Sequence, residues 1–211
     1  GDNKNLYVTD LICHGIPSRK AWQAYLDSMR NRGHKIKTVN MRDKTSGWSM
    51  FSWRLREADG RDMTELYTQN LYMTGFLKDY YLRPSCYACH FKGIERKTDF
   101  TLGDYWGVQD IQPEIFDDRG ISFVLIHTDK GMKMFRTVED NLKYIEADMK
   151  RAVEKNPNIV SSVKKPKQRE KFFTMMEKEK DFICIMDKLT KPTLYKYMKR
   201  KMKDIFKQFI S

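Results

Sequence analysis

The sequence predicts an α/β fold, a mixed sheet flanked by helices, followed by a helical extension at the C-terminus. Short runs rich in β-branched and aromatic residues alternate with stretches in which apolar residues recur every three or four positions. The run ISFVLIHT at 121–128 has the composition of a buried strand, and beyond residue 166 only helical spacing is found. A chain of 211 residues is long enough to bury a sizeable core.

The first half of the chain alternates strands and helices. Ser18 is a plausible N-cap because it follows Pro17 and precedes apolar residues at helical spacing. Asp59-Gly60 is typical of a hairpin turn. In chain order the predicted elements are a strand at 6–12, a helix from Ser18, strands at 36–43, 50–57 and 63–66, and a helix at 70–81.

The second half continues the pattern and then changes. Strands are predicted at 100–108, 121–128 and 142–149, with a helix at 130–141. The stretch from Pro157 to Pro166 has the composition of a linker, and helices are predicted at 169–189 and 193–210. We therefore expect two units, an α/β domain at 1–156 and a basic helical tail at 157–211.

The positive charge of the chain is concentrated in that tail. Residues 164–211 carry 15 Lys and Arg against 6 Asp and Glu, which accounts for +9 of the net charge of +12. The rest of the chain is close to an ordinary enzyme surface, so we expect no nucleic-acid function. The last predicted helix has one apolar stripe with lysines opposite, which suits docking onto the domain, peripheral membrane contact or an acidic partner. Glycine-rich nucleotide-binding motifs are absent from the sequence.

Four cysteines are the main chemical signal. They are too few for a disulfide scaffold and indicate a reducing, cytoplasmic location. Cys86 and Cys89 form a C-x-x-C pair followed by His90, a pattern shared by iron–sulfur, zinc and c-type haem sites. Cys13 leaves a predicted strand and is the best third ligand, whereas Cys184 has the spacing of a packing residue on a helix.

Three thiolates leave one ligand position open. His14, His90 and a cysteine upstream of Gly1 are the candidates for it. Haem attachment is disfavoured because it requires an oxidising compartment and a distal ligand. A non-catalytic zinc-binding interaction module that uses the same cysteines remains the alternative to a redox site.

Three motifs occur in a recognisable order: VTDLICHGIPS at 8–18, RPSCYACHFKGIERKTDFTLGDYWGV at 83–108 and GISFVLIHTDKG at 120–131. With these motifs the chain resembles the C-terminal domain of the coenzyme F420 hydrogenase/dehydrogenase beta subunit family, from about residue 5 to about residue 150. The resemblance implies an iron–sulfur flavoprotein oxidoreductase. Electrons would pass between a [4Fe–4S] cluster and FAD, and on to a deazaflavin such as F420 or another carrier.

The resemblance also implies particular ligands and partners. Cys13, Cys86 and Cys89 match the family's cluster ligands, and the fourth cysteine of the family lies upstream. His90 then becomes a bystander. We expect the chain to be a piece of a longer protein, since it opens without Met and enters a strand almost at once. A ferredoxin-like domain or subunit would precede it.

Residues near the cysteines are candidates for holding the cofactors. Cations and main-chain N–H groups stabilise the negative charge of a cluster and tune its potential. A tight aromatic turn after the strand at 100–108 suits contact with a flavin or cluster, although packing is an equal explanation for its tryptophan. No catalytic residue is assigned. The candidates are His14, Gly15, Arg96, Lys97, Asp104 and Trp106.

Overall fold

The computed structural model describes residue 3 and residues 5–191, and it has the α/β architecture expected from the sequence. Strands and helices follow one another along the chain, with short 3-10 turns between some of them. The strands are β1 (Thr9–Leu11), β2 (Ile36–Asp43), β3 (Ser52–Glu57), β4 (Asp62–Leu66), β5 (Phe100–Asp104) and β6 (Ser122–Ile126). The helices are α1 (Arg19–Asn31), α2 (Leu71–Leu77), α3 (Val108–Ile111), α4 (Asp129–Val138), α5 (Met149–Lys155), α6 (Lys167–Lys178) and α7 (Phe182–Thr190).

The strands form two three-stranded sheets. One sheet has the order β1-β5-β6 and is mixed, because β1 runs parallel to β5 while β6 runs antiparallel to it. The other is an antiparallel meander, β2-β3-β4, in which Leu55 of β3 lies opposite Val39 and Met63. The end of β1 therefore lies beside the end of β5, which places the loop after β1 next to the turn after β5.

Two hydrophobic cores support these sheets. The larger core is rich in aromatic rings and lies between the β2-β3-β4 sheet and helices α1, α2, α6 and α7. Its fully buried side chains include Tyr25, Trp53, Tyr72, Tyr81, Phe172 and Phe182. The smaller core lies under β5 and β6 and includes Trp48, Tyr105, Val108, Ile111, Phe123, Ala152 and Ile159. Trp106 packs against both cores.

Helices α6 and α7 are part of the larger core. The ring of Phe172 lies 5.1 Å from that of Tyr81, and the ring of Phe182 lies 5.5 Å from that of Tyr25. Ser28 of α1 accepts a hydrogen bond from the Phe182 N–H at 2.7 Å. The helices after residue 156 thus share their core with α1 and α2, and the division of the chain at residue 156 stays a prediction.

The structure differs from the sequence-based expectation at 142–149, where the predicted strand was wrong. The chain is irregular there until Asp148, whose side chain accepts from the Arg151 N–H at 3.0 Å and caps α5. Leu142 and Tyr144 are exposed. An alternating pattern forms a strand only where a neighbouring strand and a core are available to it. None of the described strands pairs with this stretch, so it stays irregular and ends at the residue that caps α5.

Two further expectations need correction. The predicted helix at 169–189 is two helices, because the chain is extended at Glu179 and Asp181 caps α7 through the Cys184 N–H at 3.1 Å. The run at 121–128 forms an edge strand whose one buried member is Phe123, not a central buried strand. The helix predicted at 193–210 lies outside the described residues. No helix within the described ranges has the length and apolarity needed to cross a bilayer.

Candidate cysteine site and adjoining pocket

Main-chain hydrogen bonds bring the two cysteine segments together. Cys13 directly follows β1, and Cys86 lies in a 3-10 turn that follows α2. The Ile16 N–H donates to the Cys86 sulfur at 3.3 Å, and the Arg83 N–H donates to the Ile16 carbonyl at 2.9 Å. Pro17 forms an isolated bridge with Leu82. The loop that carries Cys13 is therefore held against the turn that carries Cys86.

A lysine stands among the three cysteines. The Lys92 ammonium donates to the Cys13 carbonyl and, at 2.9 Å, to the Asn158 carbonyl. Burial lowers the pKa of Lys92, and the charges of Cys13, Cys89 and Cys86 act in the opposite direction. The hydrogen bond to the Cys13 carbonyl places this ammonium against the loop that carries Cys13. The sequence analysis overlooked Lys92, although its place three residues after Cys89 was a usable signal.

The cysteine side chains do not converge on one point. Within residue 3 and residues 5–191, no three His, Cys, Asp or Glu side chains are close enough to hold a metal ion together. Cys13 is exposed, Cys86 and Cys89 are half-buried, and all three are free thiols. Cysteine thiolates are the usual ligands of iron–sulfur clusters, and a nearby ammonium offsets their charge. The three thiols therefore match a cluster by their chemistry, while the described side chains are not gathered around one point.

Arg96 holds the cysteine loop onto the sheet. Its side chain is 5% exposed, and its Nη1 lies 2.8 Å from Asp10 Oδ2. The guanidinium also donates to the Gly93 carbonyl at 3.1 Å and the Ile159 carbonyl at 3.3 Å. Burial raises the pKa of Asp10, but hydrogen bonds from Arg96 and Thr101 outweigh it and leave that pKa below its ordinary value. Arg96 is thus engaged by protein groups on every side.

Three other residues considered from the sequence are Lys97, His90 and Gly15. Lys97 and His90 are exposed. Gly15 packs so closely on Leu82 that an added Cβ would lie 2.6 Å from the Leu82 Cδ1 atom. Its lack of a side chain therefore allows the Cys13 loop to approach the segment before the C-x-x-C turn.

A cavity of about 600 Å³ adjoins the cysteine site. This volume is in the usual range for small-molecule sites. Its walls are mainly apolar, and its aromatic members are Phe51, Tyr67, Tyr72, Phe76 and Trp106. The Tyr72 hydroxyl is buried and has no hydrogen-bond partner in the described part of the chain. Burial raises its pKa, so the hydroxyl stays protonated.

Asp104 and Trp106 lie together in the wall of this pocket. The Trp106 ring stacks on Trp48 with centroids 4.9 Å apart and planes 8° from parallel. The Arg42 guanidinium lies 4.8 Å from the Trp106 ring and 4.9 Å from the Phe51 ring. Asp104 accepts from the Trp48 indole N–H at 3.0 Å, and its other oxygen lies 2.9 Å from Arg42 Nη2. Both oxygens of Asp104 are therefore used to fix the wall.

His14 lines the same pocket from the cysteine side. Its Nε2 lies 2.9 Å from the Asp79 carboxylate and 3.3 Å from the Phe76 carbonyl, and its Nδ1 lies 3.5 Å from the Asn158 amide nitrogen. The ring nitrogens face these groups and not a sulfur. Asp79 has φ of 62°, a left-handed conformation rare outside glycine. The strained residue is thus next to the site, and no sequence pattern pointed to it.

The match to a known family covers most of this arrangement. Residues 1–152 match the family model that describes the C terminus of the coenzyme F420 hydrogenase/dehydrogenase beta subunit. The chain belongs to this family. The resemblance inferred from the three motifs is thereby confirmed, and the family is one of oxidoreductase subunits. Both cysteine segments and the Asp104–Trp106 turn lie within the matched residues of this beta-subunit domain.

Other comparisons add little to the family match. One similar solved structure is a xenon derivative of the F420-reducing [NiFe] hydrogenase complex from Methanosarcina barkeri, with 18% identity and a TM-score of 0.37. That match covers 76% of this chain and 54% of the other, so the chain spans about half the length of that relative. No curated protein matches the chain.

The beta-subunit match ends at residue 152, but the site does not. Asn158 contacts both Lys92 and His14, and the Ser162 hydroxyl accepts from the Cys89 N–H at 2.9 Å. Neither residue was singled out from the sequence, where this stretch has the composition of a linker. Arg42 and Trp48 were missed for a related reason, since they reach the pocket from a different sheet and a distant loop.

Proposed function

We propose that this chain is a redox domain in which Cys13, Cys86 and Cys89 hold a [4Fe–4S] cluster and the adjoining pocket holds the flavin of FAD. The observation that carries the proposal is that Cys13 and His14 are neighbours with different surroundings. Cys13 belongs to the cysteine site, while His14 forms a wall of the pocket. The two sites therefore share one loop, which suits electron transfer between them.

A bound cluster would supply single electrons and a bound flavin would exchange hydride with a carrier. The chain's own contribution on the cysteine side is electrostatic. Lys92 places a positive charge among the three thiolates, and the Ile16 N–H donates to the Cys86 sulfur. Such groups favour the more reduced, more negative state of a cluster and raise its potential.

On the pocket side the chain supplies shape and one charged group. Trp106 and Phe51 line the pocket, and its mainly apolar walls exclude water from a bound ring. The Arg42 guanidinium is held between these two rings and favours an anionic ligand group.

The acceptor beyond the flavin is proposed to be a deazaflavin such as F420 or a similar diffusible carrier. A ferredoxin-like domain or subunit is proposed as the other redox partner. Both proposals follow from membership of the beta-subunit family. They are separate from the cofactor proposal, since the domain could hold both cofactors and still use other partners.

Anaerobic reconstitution of the full chain tests the cofactors. The protein is incubated with iron, sulfide, FAD and a small thiol that can take the remaining cluster position, and is then desalted. We expect iron and sulfide in equal amounts, a broad visible absorption and retained flavin. Cys13→Ser, Cys86→Ser and Cys89→Ser should each lose iron, whereas Cys184→Ser in α7 should not.

Stoichiometric zinc with no visible absorption would refute the redox proposal. That result would favour the zinc-binding interaction module, since the same three thiols are zinc ligands. Cluster formation without flavin retention would refute the assignment of the pocket and leave that of the cysteines.

A further inference from the structure

We propose that residues 156–169, hereafter the connecting segment, form a strap that positions the C-x-x-C turn and belongs to the cysteine site. The segment begins after the last residue of the family match, so it is not a part of the beta-subunit domain as that family is defined. The inference rests on the proposed function for what the site holds. The positioning itself is argued from contacts within the chain.

The first contact is made to Cys89 itself. The Cys89 N–H donates to the Ser162 hydroxyl at 2.9 Å, and that hydroxyl lies 3.5 Å from the Cys89 carbonyl. One side chain therefore serves both main-chain groups of a proposed ligand. Cys89 is the C-cap residue of the 3-10 turn Pro84–Ala88 and has extended dihedral angles. Ser162 supplies a partner for the Cys89 N–H from 73 residues away.

The second contact is made to the cation of the site. Lys92 Nζ donates to the Asn158 carbonyl at 2.9 Å and also to the Cys13 carbonyl. The Asn158 side chain reaches His14, with 3.5 Å between its Nδ2 and His14 Nδ1. Asn158 therefore helps to position both the Lys92 ammonium and the His14 ring, which lines the pocket.

The third contact is made to Tyr87, the first of the two residues between the cysteines of the turn. The Arg169 guanidinium lies 5.5 Å from the Tyr87 ring and 4.7 Å from the Phe173 ring. It donates to the Leu82 carbonyl, just before the turn, at 3.3 Å. The Tyr87 hydroxyl in turn donates to the Asp79 carbonyl at 2.6 Å. The turn is thus held on one side by Arg169 and on the other by Asp79.

Both ends of the strap are anchored in a core. Ile159 is buried in the smaller core, and its carbonyl accepts from Arg96 at 3.3 Å. Phe172, three residues beyond Arg169, is fully buried in the larger core. The segment therefore spans from one core to the other across the cysteine turn. Three separate members of the site are held by a segment with its own fixed ends.

The test uses the cofactor-free chain of 211 residues under anaerobic conditions, so it does not depend on cluster loading. Hydrogen exchange and thiol alkylation are followed by mass spectrometry for each cysteine. Ser162→Ala should speed amide exchange at Cys89, and alkylation of its thiol, roughly two- to tenfold, as expected for loss of one hydrogen bond. Rates at Cys184 should not change. Ser162→Thr keeps the hydroxyl and should restore the parent rates.

Ser161→Ala is the matched control. The exposed Ser161 hydroxyl bonds to the Pro157 carbonyl within the segment and does not contact the turn. Arg169→Gln is a second variant, expected to speed exchange through the turn around Tyr87. If Ser162→Ala and Arg169→Gln both match Ser161→Ala at Cys86 and Cys89, the strap proposal is overturned.

A second readout separates this inference from the proposed function. After reconstitution, Ser162→Ala should shift the reduction potential of the cluster, and Ser161→Ala should not. If the parent takes up no cluster, the proposed function fails, while the exchange rates still decide whether the strap exists. If the cluster forms and the exchange rates and potential are unchanged, the strap fails and the proposed function stands.

Discussion

Lys92 donates a hydrogen bond from its ammonium to the carbonyl oxygen of Cys13, 79 residues earlier in the chain. The same ammonium donates to Asn158 at 2.9 Å. A half-buried cation thereby ties three segments of the chain around the proposed cluster. This arrangement predicts a specific electrostatic effect.

Lys92→Met removes the charge and both hydrogen bonds while keeping an unbranched chain. The reconstituted cluster should then have a lower reduction potential, because a positive charge stabilises the more negative, reduced state. A potentiometric titration measures the shift. Lys97→Met is the control, since Lys97 is exposed in the same loop. Equal potentials for the two variants would contradict the assigned role of Lys92.

Trp106→Leu should weaken FAD binding about tenfold, the change expected from losing roughly 1.4 kcal/mol of aromatic contact. The tryptophan lines the pocket and holds its place by stacking on Trp48. Flavin fluorescence titration measures the affinity. Tyr144→Leu is the control because this exposed aromatic residue lies outside the pocket. If Trp106→Leu binds FAD with the same affinity as the parent, the flavin does not bind in this pocket.

Gly15→Ala should destabilise the protein by about 1–3 kcal/mol, the usual cost of overpacking. The new methyl group would lie 2.6 Å from Leu82 Cδ1. Urea denaturation measures the change in unfolding free energy. A double-mutant cycle with Leu82→Val should show that the two changes are less than additive, since the smaller side chain makes room. Strict additivity would show that the methyl group of Gly15→Ala does not clash with Leu82.

Phe182→Ala should lower the free energy of unfolding by about 3–5 kcal/mol, since a fully buried ring is removed. Phe182 contacts the rings of Tyr25, Tyr72 and Tyr81, which belong to the region before residue 156. We therefore expect one cooperative transition shifted as a whole. Phe91→Ala should change stability by no more than about 0.5 kcal/mol, because Phe91 is 81% exposed. A separate, shifted transition would support an independent tail.

Asp99 predicts a pH dependence of stability. Hydrogen bonds from Thr128 at 2.6 Å and from the Val8 N–H at 2.9 Å, together with Lys130, hold its pKa below the ordinary value. The ionised carboxylate therefore stabilises the folded state above the unfolded pKa of about 3.9, and this contribution is lost as the pH falls through the lower folded pKa.

Asp99→Asn should consequently be less stable than the parent at pH 7, and the gap should shrink as the pH falls below about 4. Urea denaturation at a series of pH values measures it. Asp140→Asn, at an exposed position, should show a much smaller gap at every pH. If the stability difference between Asp99→Asn and the parent stays constant through the acid range, the ionisation of Asp99 does not contribute to stability.

Much of the fold could be predicted because its signals are local. Asn70 caps α2 through the Met73 N–H at 3.0 Å, and Asp59-Gly60 turns the hairpin between β3 and β4. The strand predicted at 142–149 failed because its alternation found no neighbouring strand. The edge position of β6 could not be inferred either, since the number of strands beside it is a property of the whole sheet.

The candidate site likewise contains some residues that the sequence could identify and others that it could not. The cysteines are rare residues in short motifs, so Cys13, Cys86 and Cys89 stood out by chemistry alone. Arg42, Asp79 and Ser162 are ordinary residues in ordinary surroundings, and their importance comes from what lies opposite them in space. Arg96 was expected near a cofactor, which stays a prediction; its contacts with Asp10 and main-chain carbonyls could not be inferred from the sequence.

The sequence by itself determined the family and the α/β class, because these depend on residue types in short motifs and at regular spacings, and it singled out three thiols as proposed ligands. The tertiary structure decided how the strands divide between two sheets, that Lys92 stands among the cysteines, and that a segment with the composition of a linker holds the C-x-x-C turn. The pairing of β1 with β5, the bond from Lys92 to Cys13 and the bond from Cys89 to Ser162 each join residues more than 70 positions apart. Such pairings leave no periodic trace in the sequence, since only packing of the complete chain brings the partners together.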